Sequence, residues 1–193
     1  MPGHLRRRSL AITLMLGLLA GLLPQAALAA APTLTTAVVK SGLAYPWDVG
    51  FLPDGKMVVT ERPGRIRVYA SGSPGAALVR TVTVPSVRAE GESGLMGLAV
   101  DVDFASNGYV YVCASRQYTG SGGWRNEVLR YRVSAAGAWS APTRILGGML
   151  ANTIHNGCAL EMANDGRLWV SMGDANNWNL AQNRSSLNGK ILR

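Results

Sequence analysis

His155 and Asp174 are the residues of this chain best suited to chemistry. His155 precedes Asn156-Gly157, and Asp174 follows nineteen residues later, at the end of a second apolar run. The other histidine, His4, lies among the first few residues. A strand out and a strand back over that interval would return Asp174 to the side where His155 sits. A carboxylate beside an imidazole holds its tautomer and raises its basicity, which makes an acid/base pair. Gly157 would allow backbone to approach a ligand closely. The competing reading is a loop histidine that bonds to solvent.

Other chemistries find little support. A lone mature histidine and two distant cysteines do not make a zinc cluster. No Gly-rich phosphate loop followed by Lys is present, and no nucleophile elbow.

Residues 1–29 read as a signal peptide. Arg6-Arg7-Arg8 form a basic start, Leu10 to Leu23 an apolar run, and Ala27-Leu28-Ala29 a cleavage signature. The run is too short for a comfortable membrane span. The mature chain is expected to start near Ala30, in the periplasm or outside the cell, with no stable membrane insertion after cleavage. That segment carries three arginines and no acid, so its removal lowers the net charge from +8 to +5. The remaining basic residues are scattered, which argues against a nucleic-acid partner.

Export also bears on the two cysteines, Cys113 and Cys158. An even count in an oxidising compartment permits a disulfide. If their strands lie side by side, the bridge would clamp the base of the histidine loop. Two buried free thiols are the alternative.

The elements that must position these residues are strands. Short β-branched and aromatic runs bounded by Gly, Pro, Asp and Asn predict an all-β fold. A repeat lies beneath them. Asp54-Gly55, Asn107-Gly108 and Asp165-Gly166 are tight-turn dipeptides, each leading into a strand. Their glycines are 53 and 58 residues apart. A second strand follows each, at 65–69, 128–133 and 190–193. That period, with several strands per unit, is the signature of propeller blades.

Residues 30–193 number 164, enough for about three such units. Propellers close with roughly four to eight blades. Residues 30–193 are therefore expected to be the N-terminal part of a β-propeller domain, incomplete at its C-terminus and inactive alone.

With the motifs in place, the chain resembles the glucose/sorbosone dehydrogenase family. These are soluble aldose sugar dehydrogenases that use pyrroloquinoline quinone (PQQ) in a six-bladed propeller. The resemblance runs from Gly42-Leu43 and Pro46-Trp47 through Phe51-Leu52-Pro53-Asp54-Gly55 and Thr60-Glu61-Arg62-Pro63-Gly64-Arg65. It continues through Gly91-Glu92-Ser93-Gly94-Leu95-Met96-Gly97 and Asn107-Gly108-Tyr109. It ends with His155-Asn156-Gly157, Gly173-Asp174, Ala181-Gln182 and Leu187-Asn188-Gly189-Lys190.

The resemblance implies that His155 is the general base on the anomeric hydroxyl of an aldose sugar. Hydride would then pass to PQQ, and Asp174 would orient and polarise the histidine. An external electron acceptor is implied as a partner. Glu92 would reach the pocket, with Asn156, Gly157, Asn179 and Gln182 as further candidates there. Arg62 and Arg65 would serve the blade rather than the cofactor. Calcium is implied as well, with its ligands, and the cations for the PQQ carboxylates, expected beyond Arg193.

The chain departs from the family pattern in three places. Ile154 stands where an acid often precedes the histidine. Cys158 replaces a second glycine, and Glu161-Met162-Ala163-Asn164-Asp165-Gly166 replaces the usual F-G-P-D-G run. These point to a subfamily with a disulfide near the site, to altered substrate choice, or to lost activity. The rival readings are a non-catalytic propeller that binds protein or glycan ligands and a calcium-dependent propeller hydrolase. Fold alone does not separate them.

Overall fold

The structure, a computed structural model, describes residues 31–117 and 123–193. The expected signal peptide lies outside the described residues. Residues 31–37 form no regular element, and a second compact unit, Val38–Arg193, holds all the described strands. Among the described residues no helix is long and apolar enough to cross a membrane.

Three antiparallel sheets follow one another along the chain. The first is β1 (Pro46–Phe51), β2 (Met57–Glu61), β3 (Arg65–Tyr69) and β4 (Leu78–Thr83), in that spatial order. The second is β5 (Leu95–Val100), β6 (Tyr109–Gln117), β7 (Trp124–Arg132) and β8 (Thr143–Leu150). The third is β9 (Gly157–Met162), β10 (Leu168–Met172) and β11 (Lys190–Leu192). Among the described residues two short helices interrupt them: α1 (Phe104–Asn107) before β6 and α2 (Trp178–Gln182) before β11.

The sequence repeat falls at equivalent places, between the first and second strand of each sheet. Its outer two copies are the same turn. Gly55 N–H donates to Leu52 O and Gly166 N–H to Ala163 O, both at 2.9 Å. In each, the preceding aspartate accepts the N–H two residues on, Lys56 at 3.2 Å and Arg167 at 3.1 Å. The middle copy differs from the expected tight turn. Gly108 instead ends α1 in a left-handed conformation (φ 67°), and its N–H donates to Phe104 O at 2.8 Å. Residues 104–107 coil before the strand begins, so the same dipeptide serves as a helix cap.

Alternation along the strands makes the middle sheet apolar on both faces. Val110, Val112 and Ala114 of β6 enter a core with Val58, Ile66 and Val68 of the first sheet. Tyr111 and Cys113 point the other way, into a core with Cys158, Leu160, Val170 and Met172 of the third. A bulge between Leu95 and Leu98 lifts β5 out of register with β6. The first sheet takes up groups in the bulged stretch: Leu98 N–H donates to Asp48 at 2.8 Å, and the Thr60 hydroxyl donates to Met96 O at 2.7 Å. Side chains of one sheet thereby satisfy backbone that the bulge leaves unpaired.

Cys113 and Cys158 form a disulfide with a Cα–Cα distance of 6.1 Å. Their strands are not neighbours in one sheet. Cys113 sits mid-strand in β6, which runs on to Gln117, so the bridge crosses the core from the second sheet to the third.

Candidate active site

The site lies where the connection between the second and third sheets meets the β10–α2 turn. β9 carries the chain away from His155 and β10 returns it, with Met172 opposite Gly157. The return brings His155 Nδ1 to 3.0 Å from Asp174 Oδ1. A carboxylate can only accept, so this bond places a ring proton on Nδ1, and in the neutral imidazole the lone pair then lies on Nε2, at the opposite ring edge. The imidazole is half exposed (54%), whereas Asp174 is mostly covered (24%). The Asn176 N–H donates to the same carboxylate oxygen at 2.9 Å and fixes its orientation.

The backbone here is strained. His155, Ala175 and Asn176 have φ of 59°, 53° and 61°. Left-handed backbone costs a non-glycine residue roughly 1–2 kcal/mol. Surrounding bonds hold it in place. Ala175 N–H donates to His155 O at 3.0 Å and Gly173 N–H to Asn156 O at 3.1 Å. Gly157 and Gly173 let these two turns touch: a Cβ on Gly173 would sit 2.0 Å from His155 O. The closeness expected of Gly157 is therefore to the neighbouring backbone, where its own Cβ would meet Gly173 N at 2.8 Å.

Asn156 is wholly buried, and its side chain braces the loop rather than facing solvent. Its Oδ1 accepts from Asn126 at 3.2 Å and from Asn152 N–H at 3.0 Å, and its amide donates to Asn152 O at 2.6 Å. Asn126 in turn accepts from Ser115 at 2.6 Å. Asn152 reaches Ala175 O at 3.0 Å. From the far side Asn188 donates to Leu150 O at 3.0 Å and to Gly173 O at 3.1 Å. Sequence reasoning assigned Asn126, Asn152 and Asn188 no role. Nothing local marks them: Asn126 lies between Arg125 and Glu127 in β7, and Asn152 and Asn188 lie outside the strands.

Glu92 reaches this loop from the connection between the first and second sheets. Its Oε2 accepts the His155 backbone N–H at 2.7 Å, and its own N–H donates to Thr153 O at 2.7 Å. Asn179 and Gln182 lie exposed on α2. Arg65 binds Glu61 within the first sheet at 2.7 Å. Arg62 stacks on Tyr45 and donates to Gly91 O.

Consecutive antiparallel sheets packed face to face, each with the repeated dipeptide between its first and second strands, define a β-propeller built here from three blades. The sequence profile of the Glucose / Sorbosone dehydrogenase family matches residues 43–193, and the chain belongs to that family. It is 31% identical over 185 residues to an uncharacterized protein of Synechocystis, covering 84% of this chain and 43% of that one. It is 30% identical over 173 residues to the aldose sugar dehydrogenase YliI of Escherichia coli, covering 86% and 46%. The PQQ-bound aldose sugar dehydrogenase of Streptomyces coelicolor superposes with a TM-score of 0.71 at 30% identity, covering 81% and 46%. The chain thus spans less than half the length of these relatives.

Proposed function

We propose that this chain carries the base-bearing part of a PQQ-dependent dehydrogenase that oxidises the anomeric hydroxyl of an aldose sugar. The observation behind this reading is the His155–Asp174 pair at 3.0 Å, with the ring half exposed. Nε2 takes the proton of the sugar hydroxyl as the carbon gives up hydride. Asp174 stabilises the imidazolium that results and keeps the ring from turning. Such a base contributes about 10²–10⁴-fold to rate.

When bound, PQQ would supply the quinone that accepts the hydride. The described residues fit the proton side of that chemistry, through the Nε2 edge of His155. Its carboxylates need cations, and two cations bordering the site are already engaged. Lys190 Nζ donates to the carbonyls of Leu180, Ala181 and Asn188 at 2.9–3.1 Å, and Arg62 is held by Gly91 and Tyr45. We assign no residue of this chain to the PQQ carboxylates. Among the described residues no group of three or more His, Cys, Asp or Glu side chains could hold a metal, and none is assigned to calcium. Export to the periplasm or beyond, and transfer of electrons to an external acceptor, complete the reading.

The test is dye reduction by an aldose in the protein that contains this chain, with PQQ and calcium added. His155→Ala should lower kcat at least about a hundredfold. Undiminished turnover in that variant would remove His155 as the base. The non-catalytic propeller keeps one observation in its favour, the exposed Ile154 beside the histidine where the family often has an acid. Sugar binding without PQQ-dependent dye reduction in the wild-type protein would favour it.

A further inference from the structure

We infer that Glu92 is a positioning residue for His155, acting through the histidine's backbone N–H rather than through the ring or the substrate. The inference rests on the reading of His155 as the base. The two loops clasp each other at two points. Glu92 N–H donates to Thr153 O, and the Glu92 carboxylate takes His155 N–H, both at 2.7 Å. Residue 91 has to be glycine for this to happen: its φ is +57°, and a Cβ there would lie 2.2 Å from Thr153 O. Behind the clasp stands the first sheet. Arg62 donates to Gly91 O, and Arg62 O accepts Leu95 N–H at 2.9 Å.

A line of contacts thus runs from the first blade through Glu92 to a histidine on the third. It matters because His155 is left-handed at φ 59°. Its ring meets Asp174 only while that backbone is held. The carbonyl is held by Ala175, the ring by Asp174 and the amide by Glu92. The first two partners belong to one turn of the third blade. Glu92 is the partner that comes from another part of the fold, so it fixes the histidine loop against the rest of the molecule.

Three variants separate this role from its rivals. Glu92→Gln keeps an oxygen that can accept the amide and removes the charge. Glu92→Asp keeps the charge and shortens the reach. Glu92→Leu removes both. Hydrogen exchange at the His155 amide, measured without cofactor or sugar, should match wild type in Glu92→Gln. It should quicken at least about tenfold in Glu92→Asp and Glu92→Leu, the loss of the hydrogen bond to that amide. In the dye assay those two variants should lose about ten- to a hundredfold in kcat with KM little changed, the cost of a misplaced reacting group. Glu92→Gln should stay within about twofold of wild type on both constants.

Unchanged exchange in Glu92→Asp and Glu92→Leu would overturn the inference. So would a Glu92→Gln variant as damaged as Glu92→Leu, which would make the charge the active element. A rise in KM with kcat intact would assign Glu92 to the sugar instead and overturn it as well. Glu92→Asp keeps the inference testable should Glu92→Leu fail to fold. If wild-type protein oxidises no aldose, the proposed function fails, and the exchange arm still decides the role of Glu92.

Discussion

The seam between the first and second blades is closed by apolar side chains and by side chain-to-backbone ties that include Asp48 to Leu98, Thr60 to Met96 and Arg116 to Pro85. The seam between the second and third also has an apolar core, and adds a disulfide and a file of buried asparagines. The difference follows from what each seam carries. Apolar contacts are non-directional. They set the spacing of two sheets but do not fix the dihedral angles of a polar loop. The second seam must hold His155, Ala175 and Asn176 in left-handed backbone. Directional bonds provide that: Asn152 holds Ala175 O, Asn188 holds Gly173 O, and Glu92 and Ala175 hold the His155 backbone, with Asn126 and Asn156 bracing Asn152 from behind.

Cutting the disulfide should produce the largest effect on stability. Cys113 and Cys158 are 45 residues apart, and closing a loop of that length stabilises by about 4 kcal/mol in the chain-entropy description. The double variant Cys113→Ser, Cys158→Ser should therefore melt well below wild type in a thermal scan. Because Cys158 lies three residues past His155, exchange at the His155 amide should quicken too. A double variant with unchanged melting temperature would show the bridge to be dispensable, and the two seams to be alike in strength.

Ile66→Val probes the other seam with a smaller change. Ile66 is fully buried in the core between the first and second blades. Removing one methylene there costs about 1 kcal/mol. The comparison is sharpened if the melting temperature falls while exchange at the His155 amide stays at the wild-type rate. It breaks if the histidine loop loosens as much as it does without the disulfide.

Much of this architecture was legible in the residues. The turn dipeptides at Gly55, Gly108 and Gly166 announced the blade period, because left-handed backbone selects glycine wherever it recurs. The return of Asp174 to His155 was one of two readings that strand geometry left open, beside a loop histidine bonded to solvent. The fourth strands, β4 and β8, went unread. β4 is largely exposed, and β8 is interrupted by Gly147-Gly148, so neither shows clean alternation. Asn156 was legible as part of a motif but not as a buried brace, since its partners Asn126 and Asn152 are 30 and 4 residues away and nothing local marks them. The reach of Glu92 to an amide 63 residues on is of the same kind. A long-range contact between a side chain and a backbone group leaves no periodicity to find.

Glu61 is expected to give the smallest effect, and it lies away from the histidine seam. Burial pushes its carboxyl up, but the Ala44 N–H and the Arg65 and Arg67 guanidiniums outweigh that and hold it below its ordinary value of 4.5. The Ala44 and Arg65 contacts are both 2.7 Å. A carboxylate whose pKa is lower folded than unfolded stabilises the fold at every pH above the unfolded value. That contribution is lost as pH falls through the folded value. The wild-type melting temperature should therefore drop below about pH 4.5 with Glu61 as one of its causes. Glu61→Gln should melt slightly lower than wild type at pH 7, and the gap should close as the solution is acidified. Exchange at the His155 amide should stay at the wild-type rate throughout, because Glu61 ties the segment before β1 to the first blade and touches no part of the asparagine file. A gap that widens on acidification would mean that Glu61 titrates above its ordinary value in the native fold, with burial outweighing the Ala44 and arginine contacts, and would reverse the direction assigned to the net shift.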